Sequence, residues 1–251
     1  MEAARVAATR GHQVVLFEKG KSLGGHLLEA AVPDFKKDLD RLLEWYQTQL
    51  KELGVTVRLA TAASDALIAR ESPDTVVIAT GSGPLIPEVP GVKKANVITA
   101  TDLLLGRKKA GSTAVVIGGG LIGCEIALWL AKESKKVTVV EMLPELMTGS
   151  LPVPRMNQQM LLDLLALNKV KIITGARLQE ITEEGVIVIA EAFKKAIKAD
   201  TVVLALGLKS DNTLYQAMAG KYARLYAIGD CQKPRNIMEA LWEGYEVGRT
   251  L

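Results

Sequence analysis

The sequence predicts an α/β fold made of two successive units, and three observations lead to that prediction. Short β-branched runs alternate with longer amphipathic stretches along the 251 residues, which is the pattern of βα units around a mainly parallel sheet. Apolar residues make up 49% of the chain and aromatic residues only 4%, so the core is aliphatic and suits strands that are buried on both faces. The third observation is an internal repeat, which indicates two copies of one unit.

The individual elements follow from this alternation in chain order. Runs rich in Val, Ile and Thr predict strands at residues 13–18, 55–59, 75–80, 113–118, 136–141, 170–174, 186–189, 201–206 and 225–228. Stretches with apolar residues at helical spacing predict helices at residues 2–10, 36–53, 121–133, 153–168 and 237–248. We interpret the charged face of the 36–53 helix as an ordinary solvated surface.

Charge, hydropathy and cysteine usage exclude several classes of protein. Lys plus Arg total 31 against 28 for Asp plus Glu, and the basic residues come no denser than residues 107–109, so no nucleic-acid partner is expected. The longest apolar runs, such as residues 202–206, fall far short of the roughly 18 residues of a membrane span, so we expect a cytoplasmic protein with no membrane partner. Cys124 and Cys231 are far apart, and with only two histidines the sequence predicts no metal site.

The repeat relates the two halves of the chain at a nearly constant offset. Residues 74–81, Asp-Thr-Val-Val-Ile-Ala-Thr-Gly, match residues 200–207, Asp-Thr-Val-Val-Leu-Ala-Leu-Gly, 126 positions later. Residues 13–18 match residues 136–141 at an offset of 123, and both segments end in a glutamate, Glu18 and Glu141. The matches occur in the same order, so the two units are expected to share one architecture.

The sharpest local signal is a G-x-G-x-x-G motif between a predicted strand and a predicted helix. In this motif Gly118 permits the tight turn, Gly120 lets a pyrophosphate approach the backbone, and Gly123 lets the helix pack closely on the strand. The helix that begins near Leu121 directs its unpaired N–H groups and positive dipole end at the diphosphate, so no cationic side chain is needed. The motif predicts a Rossmann-like dinucleotide site, and the alternative is a glycine-rich turn without a ligand.

Glu141 indicates which dinucleotide this site would take. It lies 23 residues after Gly118, at the end of the next strand, where a carboxylate can accept hydrogen bonds from both ribose hydroxyls. A 2′-phosphate would be repelled there, so the sequence favours NADH over NADPH.

The offset also predicts where the first copy of the motif would fall. If Glu18 is the counterpart of Glu141, the first phosphate loop would lie just before Met1. Residues 2–10 are then the helix that follows that loop. We therefore expect an N-terminally truncated first unit, without its first strand and phosphate loop.

Five segments carry a resemblance to a known family. They are residues 1–7 (Met-Glu-Ala-Ala-Arg-Val-Ala), 18–19 (Glu-Lys), 23–27 (Leu-Gly-Gly-His-Leu), 227–231 (Ala-Ile-Gly-Asp-Cys) and 234–237 (Pro-Arg-Asn-Ile). Essentially the whole chain resembles the FAD- and NAD(P)-binding portion of the NADH:flavin oxidoreductases related to 2,4-dienoyl-CoA reductase, 2-enoate reductase and trimethylamine dehydrogenase. The sequence departs from that family at His26, where glutamine is expected.

The resemblance implies a role for each site residue. It places the FAD ribose at Glu18 with Lys19 beside it, the ribityl chain and diphosphate near Asp230, and the flavin pyrimidine at the N-terminus of the last helix, where a dipole stabilises negative charge. The residues that it implies for FAD are Glu18, Lys19, Gly24, Gly25, His26, Ala79, Thr80, Gly81, Gly229, Asp230, Asn236 and Ile237. Those that it implies for NADH are Gly118, Gly120, Leu121, Ile122, Gly123, Glu141 and Gly207. It implies no catalytic side chain, because hydride transfer needs position rather than an acid or base.

The expected organisation is an NAD(H) domain at residues 109–207 inserted into a discontinuous FAD-type domain at residues 1–108 and 208–251. The expected function is a module that accepts hydride from NAD(P)H, passes it to FAD, and sends electrons to a further flavin or acceptor outside this chain. Family members carry an N-terminal FMN barrel with an iron–sulfur cluster, and this sequence contains neither.

Two other functions stay open at this point. One is a non-catalytic NADH-binding fragment that cannot hold FAD, which the position of the first phosphate loop would favour. The other is an interaction or assembly module, in which an open sheet edge pairs with another chain or with a second copy in a homo-oligomer.

Overall fold

The computed structural model describes residues 1–149 and 152–251, and the chain divides into two compact units. The first unit comprises Met1–Ala31, Lys36–Gly83 and Lys209–Leu251, and the second comprises Val32–Phe35 and Pro84–Leu208. The second unit is thus inserted into the sequence of the first.

Helices and strands alternate through most of the chain. The helices are α1 (Glu2–Thr9), α2 (His26–Ala30), α3 (Asp38–Glu52), α4 (Asp65–Glu71), α5 (Ala100–Leu104), α6 (Leu121–Lys132), α7 (Arg155–Leu167), α8 (Thr213–Met218) and α9 (Ile237–Thr250), with short 3-10 turns at Asp34–Lys36 and Gly229–Cys231. The strands are β1 (Val15–Phe17), β2 (Thr56–Arg58), β3 (Val76–Ile78), β4 (Ser82–Pro84), β5 (Val97–Thr99), β6 (Thr113–Ile117), β7 (Lys136–Val140), β8 (Lys171–Ile173), β9 (Ala176–Thr182), β10 (Gly185–Ala190), β11 (Phe193–Lys198), β12 (Thr201–Leu204), β13 (Leu208–Ser210) and β14 (Leu225–Ala227).

The second unit has three layers around a parallel sheet. The sheet has the order β5-β12-β6-β7-β8, and every neighbouring pair runs parallel. Val116 faces α6 and α7 in one apolar cluster, while its neighbour Val115 packs in a second cluster with Val186 and Val188 of the antiparallel sheet β11-β10-β9. Both valines are fully buried because the strand is covered on each face. The predicted α/β class with Rossmann-like layering is confirmed.

The first unit contains two parallel strand pairs. Strand β1 pairs with β2, and β14 pairs with β3. Helices α1 and α9 pack closely, since a side chain added at Gly248 would place its Cβ only 2.8 Å from Cβ of Val6. Separate apolar clusters form around Leu50 and around Met218.

The division between the units differs from the sequence-based boundary at Lys108 and Lys109. Residues 84–108 belong to the second unit because β5 adds to the edge of its sheet, with Val97 opposite Val202 and Thr99 opposite Leu204. Its β-branched run, Val97-Ile98-Thr99, is shorter than the segments of four to six residues at which strands were predicted, so the sequence did not mark it.

Several further elements were not predicted. Among them are the two strands that flank β10: β9, which carries Arg, Gln and Glu, and β11, whose lysines are exposed at the sheet edge. Lysine on an edge strand prevents pairing with other chains, but it also removes the β-branched signal by which strands are predicted. Within the described residues, no helix is long and apolar enough to cross a membrane.

Helix α7 supplies a test of this packing. Leu165 is fully buried in the helical layer, whereas Leu167 on the same helix is 76% exposed. Leu165→Ala should lower the free energy of unfolding by about 2–5 kcal/mol because it leaves a cavity. Leu167→Ala is the matched control and should change it by less than about 0.5 kcal/mol. Urea unfolding followed by circular dichroism measures both, and equal effects would contradict the assigned orientation of α7.

Candidate functional site

The turn between β6 and α6 in the second unit depends on two glycines. Gly118 has a φ of +104°, and a Cβ there would lie 2.3 Å from the carbonyl oxygen of Ala205. A Cβ at Gly123 would lie 2.0 Å from the carbonyl oxygen of Gly118. Any side chain at either position would therefore push α6 away from the sheet.

Gly120 is different, because its missing side chain leaves open space. A Cβ at this position would meet nothing within 4 Å in the described part of the chain. Gly120 is also the N-cap residue of the 12-residue helix α6, and no side chain caps this end of the helix among the residues described. Leu121 and Ile122 form the first turn, and Ile122 is 46% exposed. The turn thus presents an open helix N-terminus, which is a ready site for an anion.

Glu141 ties this turn to the next strand. Its carboxylate is 8% exposed and accepts hydrogen bonds from the backbone N–H of Gly119 at 2.6 Å and of Leu143 at 2.8 Å. Each carboxylate oxygen keeps a second lone pair that can accept from a ribose hydroxyl. Sequence reasoning did not find the two backbone bonds, since neither has a signal in residue type or spacing.

Asp230 in the first unit is held from two sides. Its Oδ2 accepts from the Ser82 hydroxyl at 3.1 Å, and its Oδ1 accepts from the backbone N–H of Arg235 at 3.2 Å. The preceding Gly229, at a φ of +68°, donates its N–H to Glu243 at 2.5 Å. The Arg235 guanidinium also pairs with Glu243, so the loop before α9 is closed by charge-assisted bonds.

The N-terminus of α9 is capped by the predicted Asn236. Its side-chain oxygen accepts from the backbone N–H of Glu239 at 2.9 Å, and Ile237 opens the helix. Glu239 would disfavour an anion at this helix end, but Arg235 lies 3.6 Å from its carboxylate and offsets that charge.

His26 opens the short helix α2 after Gly24 and Gly25. Its Nδ1 lies 3.1 Å from the Glu29 carboxylate, and its Nε2 lies 3.1 Å from both the carbonyl and hydroxyl oxygens of Ser82. The hydrogen bond with Glu29 is the main cause that raises the pKa of His26 above its ordinary value. Both ring nitrogens therefore have partners inside the protein.

The remaining predicted residues lie in turns of the two units. Glu18 accepts from the backbone N–H of Gly20 at 2.6 Å, and Lys19 next to it is exposed. Thr80 donates to the carbonyl oxygen of Asp211, while Ala79 is exposed. Positive φ values occur at Gly24, Gly25, Gly81 and Gly207.

The structure joins some of these residues into clusters. In the second unit Gly118, Gly123 and Glu141 belong to one turn, and in the first unit His26 and Asp230 meet through Ser82. The described contacts of Glu18 join it to neither cluster. Three contributors were not predicted, namely Ser82, Arg235 and Glu243, although Arg235 and Ser82 adjoin the motif residues Asn236 and Gly81.

Comparison with known protein families shows which family the chain belongs to. The sequence profile of the pyridine nucleotide-disulphide oxidoreductases matches residues 1–244. The chain belongs to the pyridine nucleotide-disulphide oxidoreductase family. The predicted resemblance to the NADH:flavin oxidoreductases related to 2,4-dienoyl-CoA reductase is confirmed by this match and by individual relatives.

The relatives of this oxidoreductase are considerably longer proteins. It is 41% identical over 251 residues to cinnamate reductase of Clostridium sporogenes, covering 100% of this chain and 37% of that protein. It is 37% identical over 253 residues to an NADH oxidase of Thermoanaerobacter brockii, covering 98% of this chain and 38% of that protein. A solved complex of 2-naphthoyl-CoA reductase matches with a TM-score of 0.94 and 33% identity over 100% of this chain and 38% of that one.

These matches establish an oxidoreductase region with a Rossmann-type fold. The family and its relatives, which include an NADH oxidase, support FAD and NADH as cofactors of the chain. The chain spans less than two fifths of the length of each relative named above.

The two kinds of glycine in the turn can be separated by substitution. Gly120→Ala should leave the unfolding midpoint unchanged, because its φ of −67° suits alanine and the space is open. It should weaken NADH binding about tenfold, since the methyl group would occupy the space that a diphosphate needs. Gly123→Ala should lower the free energy of unfolding by about 1–3 kcal/mol because its Cβ meets backbone. Titration calorimetry and urea unfolding measure the pair, and unchanged NADH affinity in Gly120→Ala would place the diphosphate elsewhere.

Proposed function

We propose that the chain is an electron-entry module that accepts hydride from NADH onto FAD and passes electrons to an acceptor outside the chain. The observation that carries this proposal is the open N-terminus of α6 at Gly120, next to the buried carboxylate of Glu141. Family membership supports it, because the relatives include an NADH oxidase and two reductases.

On the NADH side, the chain's backbone would do most of the binding. The N–H groups of Leu121 and Ile122 would donate to the diphosphate, and the dipole of α6 would favour its negative charge. The second lone pairs of the Glu141 carboxylate would accept from the ribose hydroxyls. Residues 142–149 contain no Lys or Arg, so a 2′-phosphate would find no cation in the segment that follows Glu141. These features favour NADH over NADPH.

On the FAD side, the first unit offers open turns of the kind that a cofactor needs. A Cβ at Gly25 or Gly81 would meet nothing within 4 Å in the described residues, and one at Gly229 would meet only the Ala240 methyl group at 3.9 Å. Each of these glycines has a positive φ, which residues with a side chain rarely adopt, so these positions favour glycine and the space beside them stays open. These turns fit a large planar ligand that approaches the backbone closely.

The residues that would hold FAD follow from the resemblance and these contacts. Glu18 and Lys19 would lie at the adenosine ribose, and Asp230 at the ribityl chain. The N-terminus of α9, at Asn236 and Ile237, would face the flavin pyrimidine. The charge of Glu239 near this terminus would be offset by Arg235. When bound, FAD supplies an N5 atom that takes hydride from C4 of the nicotinamide. The protein would position the nicotinamide against the flavin and exclude water, and it would not need to move a proton.

This proposal assigns one cofactor to each unit. The first unit would be the FAD-type domain and the second the NAD(H) domain, with limits at the observed boundaries rather than at residue 108. The onward acceptor would be a second flavin or an iron–sulfur centre in a barrel domain of the kind that family members carry.

Visible absorption tests the function directly. The purified chain, mixed with FAD and freed of excess cofactor, should show flavin bands that bleach when NADH is added without oxygen. NADPH is the control and should bleach them more slowly at equal concentration, because of Glu141. Retained flavin that NADH does not bleach would contradict hydride transfer. Loss of all flavin, with NADH binding preserved, would favour the alternative function, a non-catalytic NADH-binding fragment.

A further inference from the structure

The hydrogen-bond partners of His26 favour the protonated form of its ring. Its Nδ1 faces the Glu29 carboxylate and its Nε2 faces the Ser82 carbonyl oxygen, both at 3.1 Å. A carboxylate and a carbonyl can only accept, so each ring nitrogen needs a proton to make a favourable contact. Only the imidazolium form has both protons.

The Ser82 hydroxyl links this ring to the Asp230 carboxylate. Its oxygen lies 3.1 Å from His26 Nε2 and 3.1 Å from Asp230 Oδ2. A hydroxyl has one proton, so it can donate to only one of these two partners at a time. While Nε2 carries its own proton, the hydroxyl accepts from the ring and donates to Asp230.

Loss of the Nε2 proton to solvent would reverse this arrangement. The neutral ring would keep the proton on Nδ1, which donates to the Glu29 carboxylate. The bare Nε2 would then accept the hydroxyl proton of Ser82, and Asp230 Oδ2 would lose its donor. Of the bonds that the described residues make to Asp230, the one from the backbone N–H of Arg235 would remain.

We propose that His26 is a positioning residue for Asp230, acting through a proton-controlled rotation of the Ser82 hydroxyl. The imidazolium form fixes the Asp230 carboxylate at both oxygens, and the neutral form releases one of them. This inference rests on the proposed function only in treating Asp230 as part of the flavin site. The switch itself involves this chain's own residues alone.

The carboxylates that face the His26 ring both raise its pKa. Glu29 on the same helix and Asp230 on the 229–231 turn both favour the protonated form, and Ser82 on β4 adds a backbone acceptor. The pKa of His26 is therefore raised, with the Glu29 hydrogen bond as the largest cause and burial opposing it. A raised folded-state pKa means that the fixed form of Asp230 is present at low pH and is lost as the pH rises through that pKa.

Nuclear magnetic resonance on the flavin-free chain tests the switch. The chain has two histidines, His12 and His26, and His12→Asn assigns their resonances. The His26 ring nitrogens should titrate above the ordinary pKa of histidine. The carboxyl carbon of Asp230, assigned through Asp230→Asn, should shift with the same midpoint as His26.

Two variants distinguish the hydroxyl from a direct effect of charge. Ser82→Ala should leave His26 titrating but abolish the matching shift at Asp230. His26→Gln keeps an N–H that can donate to Ser82 but cannot titrate, so the shift should vanish while the fold is retained. A shift that persists in Ser82→Ala would overturn the proposal, because it would show that the field of the imidazolium acts without the hydroxyl.

FAD affinity supplies a second readout. The dissociation constant should rise about threefold to tenfold from one pH unit below to one above the His26 midpoint, which corresponds to the loss of one hydrogen bond. In His26→Gln it should be the same at both pH values. Unchanged affinity in the native chain would contradict a role for the switch at the flavin. Absence of FAD binding at every pH would instead contradict the proposed function and leave the resonance test of the switch intact.

Discussion

The close approach of α6 to the end of β6 is the constraint on which the second unit depends. A Cβ at Gly118 or Gly123 would lie within 2.3 Å of a backbone carbonyl oxygen, which is too close for any side chain. Because both positions are glycine, the helix can begin directly against the sheet. That position brings the first-turn N–H groups to the surface at Gly120, where no side chain among the described residues caps them. The buried carboxylate of Glu141 then fixes the turn by accepting from Gly119 and Leu143. Anion binding at this point needs no lysine or arginine because backbone supplies the donors.

The first unit reaches a binding surface by a different means. Gly25, Gly81 and Gly229 leave open space in its turns, and side chains rather than backbone carry the charges. Asp230, Ser82 and His26 form one hydrogen-bonded chain, and Arg235 with Glu243 closes the loop beside it. Because the Glu29 hydrogen bond raises the pKa of His26, this hydrogen-bonded chain includes a group that can change its protonation state.

The sequence predicted the fold where its signals were long or periodic. The strands at residues 113–117 and 136–140 and the helix at residues 121–132 were found because buried β-branched runs and the glycine motif mark them. The observed division lies at residues 83 and 84 rather than at 108 and 109, because β5 joins the sheet of the second unit by pairing with the distant β12. Strand β11 escaped notice because an exposed, lysine-rich edge resembles a loop.

At the sites, residue types were predictable but their contacts were not. Glu141 and Asp230 stood out by position within motifs. That Glu141 holds two backbone N–H groups, and that His26 reaches Asp230 through Ser82, depends on loops that meet only after folding. The spacing of 56 residues between His26 and Ser82 and 148 between Ser82 and Asp230 leaves no local pattern to detect.

A crystal structure of the chain grown with NAD⁺ would show whether the turn at Gly120 binds the dinucleotide. Diphosphate oxygens should lie within hydrogen-bond distance of the backbone N–H groups of Leu121 and Ile122, beside the open side of Gly120. The adenosine ribose hydroxyls should lie on the Glu141 carboxylate. A nucleotide held by lysine or arginine side chains away from this turn, with the N-terminus of α6 facing solvent, would contradict this arrangement.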